Sequence, residues 1–144
     1  MKYLIIPSIV LVLTACGNSK NVEVKSEEDE GPIVGQMGDV TAQSDAMHID
    51  TAFIDGHILN VIVNYSGGCE KHWFEIVGSF ALLKTNPPKR SIKIIHESNG
   101  DLCDEVLSKD LQFDVSEFAY QKETGKEVLL MLDGYDHHIS YVYP

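Results

Sequence analysis

Two cysteines and two histidines carry the most specific chemistry in the chain: Cys69 is followed by His72, and His96 is followed by Cys103. Two thiols can be oxidised to a disulfide, here closing a loop of about 35 residues, a constraint on the unfolded chain worth roughly 3–4 kcal/mol. The same four side chains can instead offer two thiolates and two imidazoles, the donor set of a tetrahedral zinc or copper site. In the first case His72 and His96 are structural residues at the edge of a core, and in the second they are ligands. A second polar cluster, Asp133-Gly134-Tyr135-Asp136-His137-His138, also suggests copper or zinc. Adjacent residues of an extended strand face opposite ways, so His137 and His138 fit an exposed hairpin loop better than a shared ion. His48 and His57 stand at strand starts, where a solvent-facing histidine is ordinary. Nucleophilic catalysis has no Gly-x-Ser-x-Gly elbow to use, and there is no phosphate loop, dinucleotide fingerprint or His-Glu-x-x-His helix. A small hydrolase of unrecognised type is therefore the third-ranked reading.

The elements that must position these groups are strands. From Met47 onward, short apolar runs alternate with turn residues, the pattern of a mainly antiparallel all-β protein. Ile49 to Ile54 leads into the hairpin pair Asp55-Gly56, and Leu59, Val61, Val63 and Tyr65 then share one face of the next strand. A long strand from His72 to Leu83 places His72, Phe74, Ile76, Gly78, Phe80 and Leu82 on one side, with Gly78 marking a bulge or bend. Trp73 lies on the opposite face, either packed into a second sheet or exposed as an aromatic contact. After Asn86-Pro87-Pro88, the strand Ile92 to Glu97 puts Ile92, Ile94 and His96 on one side, so His72 and His96 both end inward-facing apolar rows. Leu102, Val106 and Leu107 recur at helical spacing behind Asp101, predicting one or two helical turns. Leu111 to Val115, Glu127 to Leu132 and Ile139 to Tyr143 complete about seven strands, a small β-sandwich or partly open barrel with one short helix.

The first fifth of the chain reads as an address. Met1-Lys2-Tyr3, an apolar run to Leu13 and the small residues before Cys16 make a signal peptide over residues 1–15, too short to span a bilayer permanently. Leu13-Thr14-Ala15-Cys16 resembles the bacterial lipobox. That resemblance implies that Cys16 begins the mature chain and takes up fatty acyl groups such as palmitate on its sulfur and amine. Several acyl chains anchor a protein where one does not. Gly17 resembles the residue that accompanies sorting to the outer membrane, on its periplasmic side or surface, in preference to the inner membrane. Residues 16–46, with the acidic run Glu27-Glu28-Asp29-Glu30, read as a flexible linker that repels anionic lipid, and residues 47–144 as the β domain. In an exported protein, Cys69 and Cys103 are an even pair in an oxidising compartment, which favours the disulfide.

Charge removes another class. The chain has 22 Asp+Glu against 11 Lys+Arg, a formal net charge of −11, and its one basic cluster is Lys89-Arg90, so it lacks the positive stripe that duplex phosphates reward. Gly67-Gly68-Cys69-Glu70-Lys71-His72 and Asp101-Leu102-Cys103 resemble segments of small bacterial lipoproteins of unknown function, over about residues 64–118. That resemblance implies export and a paired-cysteine β fold and brings no activity. The expected function is a noncatalytic, lipid-anchored envelope module with no cofactor, which binds an unknown protein or envelope component. The alternative is periplasmic zinc or copper binding through Cys69, His72, His96 and Cys103.

Overall fold

A computed structural model describes residues 31–144 of the chain. The leader, Cys16, Gly17 and the acidic run 27–30 lie outside the described residues. Within them the alternating apolar pattern forms nine strands: β1 (Ile33–Val34), β2 (Gln36–Met37), β3 (His48–Asp55), β4 (Ile58–Gly67), β5 (Trp73–Leu83), β6 (Lys89–Glu97), β7 (Glu105–Asp114), β8 (Glu127–Leu132) and β9 (His138–Val142). They make two sheets, ordered β1-β7-β4-β3 and β2-β5-β6-β8-β9. The contacts β1–β7, β2–β5 and β6–β8 are parallel and the others antiparallel, so the mainly antiparallel two-sheet arrangement expected from the sequence is what forms.

Leu59, Val61 and Val63 of β4 and Leu111 and Phe113 of β7 turn inward from one sheet. Ile76, Ile92, Ile94, Val128 and Leu130 come from the other, and all are buried. Each such side chain contributes roughly 1.5–3 kcal/mol by leaving water. The strand β5 breaks register with β6 between Gly78 and Leu82, the irregularity that Gly78 signalled. Phe118, at the end of a 3₁₀ turn (Ser116–Phe118), fills the space this creates. An added Cβ on Gly78 would lie 2.6 Å from the Phe118 ring, and one on Gly35 would lie 2.7 Å from it. The buried Arg90 holds the turn from below, donating through Nε to the Phe118 carbonyl at 2.9 Å and through Nη1 to the Ser79 carbonyl.

Two expectations are corrected. The helical turns predicted behind Asp101 are absent, and the chain from Glu105 joins β7 instead. The inner edge of β4 offers a continuous ladder from Ile58 to Gly67, and residues 105–114 fill it. A helix would have left those backbone groups unpaired, and its apolar stripe had nothing to bury against, since Leu102 and Val106 both face solvent. Among the described residues the only helical piece is the 3₁₀ turn. The second correction concerns residues 31–46, expected as the distal part of a flexible linker. Ile33 pairs with Phe113 and Gln36 with Val77, and the Gly35 and Gly38 amides donate to Asp114 and Gly78 carbonyls. This segment passes from the edge of one sheet to the edge of the other. Residues 38–47 then run as a strap along the edge of β6 that β8 leaves free after Leu132 pairs with Ile92. One backbone bond, from the Asp45 amide to the His96 carbonyl, and polar side-chain bonds of Ser44, Asp45 and Lys93 hold it, and none of these is announced by an apolar period.

The wedge of Phe118 between glycines sets an expectation for Gly78→Ala: the denaturation midpoint in urea falls by the equivalent of about 1–3 kcal/mol at unchanged slope, the cost of overpacking. An unchanged midpoint would show that the ring moves aside freely.

Candidate functional site

The sandwich end where β4 and β6 finish and β5 and β7 begin carries the residues singled out above. The loop 68–72 joins β4 to β5, the loop 98–104 joins β6 to β7, and Cys69 and Cys103 link them as a disulfide with Cα atoms 5.9 Å apart. That spacing is ordinary for the bond. Between the loops lies Asp101, whose side chain is shielded from solvent. Its Oδ2 accepts the backbone N–H groups of Gly68, Cys69 and Glu70, each at 2.9 Å, and its Oδ1 accepts that of Cys103 at 2.8 Å. These amides, led by those of Glu70 and Cys103, hold the carboxyl far below the usual carboxylate range against the opposing effect of burial.

Asp101 is also the first member of a chain of side chains. His72 Nε2 lies 3.1 Å from Asp101 Oδ2, His72 Nδ1 lies 2.7 Å from His96 Nε2, and His96 Nδ1 lies 3.2 Å from the Ala46 carbonyl. Both rings are buried, His96 to 2% exposure. Phe74 stacks on His96 with centroids 4.8 Å apart and planes 5° apart, and Tyr65 packs at 4.8 Å from His72 and 5.0 Å from His96. Burial lowers the His96 imidazole from the ordinary histidine range, with the Ala46 carbonyl pulling it back up. Gly67 makes the approach possible, because a Cβ there would stand 2.5 Å from His72 Nε2. Gly68 supplies the positive φ of the turn, at 120°.

The strap enters the same cluster. The Ser44 hydroxyl accepts the His96 amide at 2.9 Å, and the Asp45 amide donates to the His96 carbonyl at 2.8 Å. The Asp45 carboxylate takes both the Ser98 hydroxyl and its amide, which lower its pKa. The sequence placed His72 and His96 inward beside the cysteines, and the structure puts them there. It brings the four proposed metal donors into one neighbourhood with their atoms already engaged: the sulfurs are bonded to each other and the imidazoles are bonded to one another, to Asp101 and to Ala46. Cys69, Asp101 and Cys103 have ligand atoms within 4.8 Å of one another, yet the carboxylate oxygens face five N–H groups. The arrangement is a hydrogen-bond network closed by a disulfide.

The other histidines lie elsewhere. His137 and His138 are exposed at the β8–β9 hairpin, where the His137 ring meets Tyr135 edge-on, and His48 is exposed at the start of β3. His57 Nδ1 lies 2.6 Å from the hydroxyl of the buried Tyr141, whose pKa burial pushes up to about 12. Sequence reasoning missed three contributors: Asp101 as the collecting point, the Ser44–Ala46 strap, and the His57–Tyr141 pair. Only the first left a signal, an acidic residue directly after the Asn99-Gly100 turn and two before a cysteine.

The sequence matches no protein-family model and no curated protein. Its fold is shared with solved structures. A NigD-like immunity protein from Bacteroides caccae superposes with a TM-score of 0.57 at 19% identity, covering 76% of this chain and 58% of that one. A protein of unknown function, DUF1344, from Bacteroides vulgatus superposes with a TM-score of 0.53 at 13% identity, covering 78% of this chain and 56% of that one. The chain thus spans a little over half the length of each neighbour, and the likeness is one of fold.

Because the disulfide ties both loops around Asp101, its selective reduction is expected to lower unfolding stability by about 3–4 kcal/mol, read as a shift of the urea midpoint with and without reductant. Coincident curves would mean that the bond constrains little.

Proposed function

We propose that the chain is a noncatalytic, lipid-anchored module of the bacterial envelope that binds a protein partner through the disulfide end of its sandwich. The observation that carries this reading is Leu102, which is 97% exposed although its neighbours on both sides are fixed, Asp101 by five hydrogen bonds and Cys103 by the disulfide. An apolar side chain held out on an immobilised loop loses little freedom when a partner covers it, the condition under which a small contact gives useful affinity. Val106 and Trp73, 77% and 51% exposed, belong to the same end, and Lys71 lies over the Trp73 ring. Glu70, Glu97, Asp104 and Glu105 are exposed around them. An apolar contact ringed by carboxylates favours a partner with an apolar spot and a basic rim.

The anchor rests on the resemblance of Leu13 to Cys16 to a lipobox, which supports attachment through lipid, and Gly17 favours the outer membrane. The immunity role named for the Bacteroides caccae neighbour, brought here as a proposal, is the partner-binding function to test first.

A photo-crosslinking residue placed at position 102 in the native organism is expected to give one discrete protein adduct, lost on Trp73→Ala. The same probe at position 123, at the opposite end of the sandwich, is expected to give none. Equal labelling from both positions, or none from position 102, contradicts the reading. In the same strain, Cys16→Ser should move the protein from the membrane to the soluble fraction, and continued membrane retention would remove the anchor from the account.

A further inference from the structure

The end of the sandwich opposite the disulfide carries an apolar group of its own. Between Gly78, which pairs with Ile92, and Leu82, which pairs with Arg90, three residues of β5 stand against one of β6, and the middle one is Phe80, 75% exposed. An irregularity of this kind re-aims side chains, and here the ring is turned to solvent and its neighbours are held. Arg90 Nη1 donates to the Ser79 carbonyl, and the Ala81 amide donates to Ser79 Oγ at 3.1 Å. The same guanidinium donates from Nε to the Phe118 carbonyl at 2.9 Å and from Nη2 to that of Ala119 at 3.4 Å, so the exposed Tyr120 is fixed relative to Phe80. Leu83, closing β5, and Val34 of β1 are exposed at the same end.

Charge divides the molecule in the same way. Residues 79–90 carry Lys84, Lys89 and Arg90 and no carboxylate, in a chain of net charge −11. Nearby, Lys122 is paired with Glu117, and Lys126 offsets Glu123. The chain also enters the fold here: β1 pairs with Phe113 and Asp114, the last two residues of β7, and Gly31 stands two residues before that pairing. From Cys16 to Gly31 a fully stretched chain covers at most about 54 Å. A lipid on Cys16 therefore keeps this end at high effective concentration beside the bilayer.

We infer that this end is a membrane-docking face: Phe80, Leu83 and Tyr120 seat in the headgroup region of an anionic phospholipid bilayer, and Lys84 and Lys89 meet its phosphates. The inference rests on the lipid anchor proposed above and goes beyond it, because it fixes how the domain stands, with Leu102 and the disulfide pointing away from lipid. Aromatic rings favour the depth of the headgroups, and lysines are drawn to an anionic leaflet. The carboxylates around Leu102 are repelled by the same surface, so both ends favour one orientation. Contacts this few are too weak to hold a free domain, and the tether makes them sufficient.

The test uses the chain from Cys16 onward with its disulfide intact, coupled through the Cys16 thiol to a maleimide lipid in nanodiscs of mixed phosphatidylethanolamine and phosphatidylglycerol. Chemical coupling separates this inference from the anchor itself, which the fractionation of Cys16→Ser cells decides. Gadolinium chelated on the headgroups is expected to relax the amides of residues 80–85 and 120–122 about two- to fivefold faster than those of 68–72 and 98–104. Phe80→Ser combined with Leu83→Ser, both exposed positions, is expected to abolish the difference at an unchanged urea midpoint. Nanodiscs of phosphatidylcholine alone are expected to reduce it. Equal relaxation of the two ends, or a difference that survives the double variant or is undiminished in phosphatidylcholine, overturns the inference. So does sedimentation of the uncoupled chain as a dimer that Phe80→Ser breaks, which would assign the surface to a second copy.

Discussion

One buried carboxylate organises the disulfide end of this molecule. Asp101 collects the amides of Gly68, Cys69, Glu70 and Cys103 and the Nε2 of His72, and so fixes two loops that have no regular structure of their own. A shielded carboxylate needs donors, and a single oxygen that takes three successive loop amides sets the curvature of the 68–70 turn. The disulfide adds a covalent tie between loops already gathered around the same side chain. From there order passes inward through His72 to His96 and then to the strap, so a residue in an irregular loop positions a segment more than fifty residues earlier in the chain.

The sandwich beneath this network was legible because its signal is simple. Leu59, Val61 and Val63 on one side of β4, and Ile92, Ile94 and His96 on one side of β6, follow the two-residue period of a half-buried strand, and Gly78 foretold the interruption of β5. The start of β7 was misread because Leu102, Val106 and Leu107 mimic a helical stripe over a short window. The decision lay with a long-range ladder to β4, which local spacing does not encode. Residues 31–46 were misread for a related reason. Their place is set by the amides of Gly35, Gly38 and Asp45 and by isolated polar side chains, Ser44 and Asp45, that reach β6 and the loop after it, and neither kind of bond leaves a periodic signature. The candidate site shows the same division: the inward direction of both histidines could be read from alternation, but their bonding to each other and to Asp101 arises from two loops brought together by the fold.

The molecule is stiff at one end. The core lies between the sheets, the strap and the Phe118 wedge close their margins, and the disulfide end presents Leu102 on a loop that hydrogen bonds and a covalent bond both restrain. The imidazoles and sulfurs at this end are committed to structure, the rings to hydrogen bonds and the sulfurs to a covalent bond.

The central claim, that Asp101 is an ionised buried acceptor on which this end depends, is tested most directly by following its carboxyl carbon by NMR as the folded protein is acidified. The account predicts that Asp101 stays ionised well below the ordinary aspartate value of about 3.9 and that its protonation coincides with loss of the 68–72 and 98–104 loops. An ordinary titration near that value with both loops intact would contradict it.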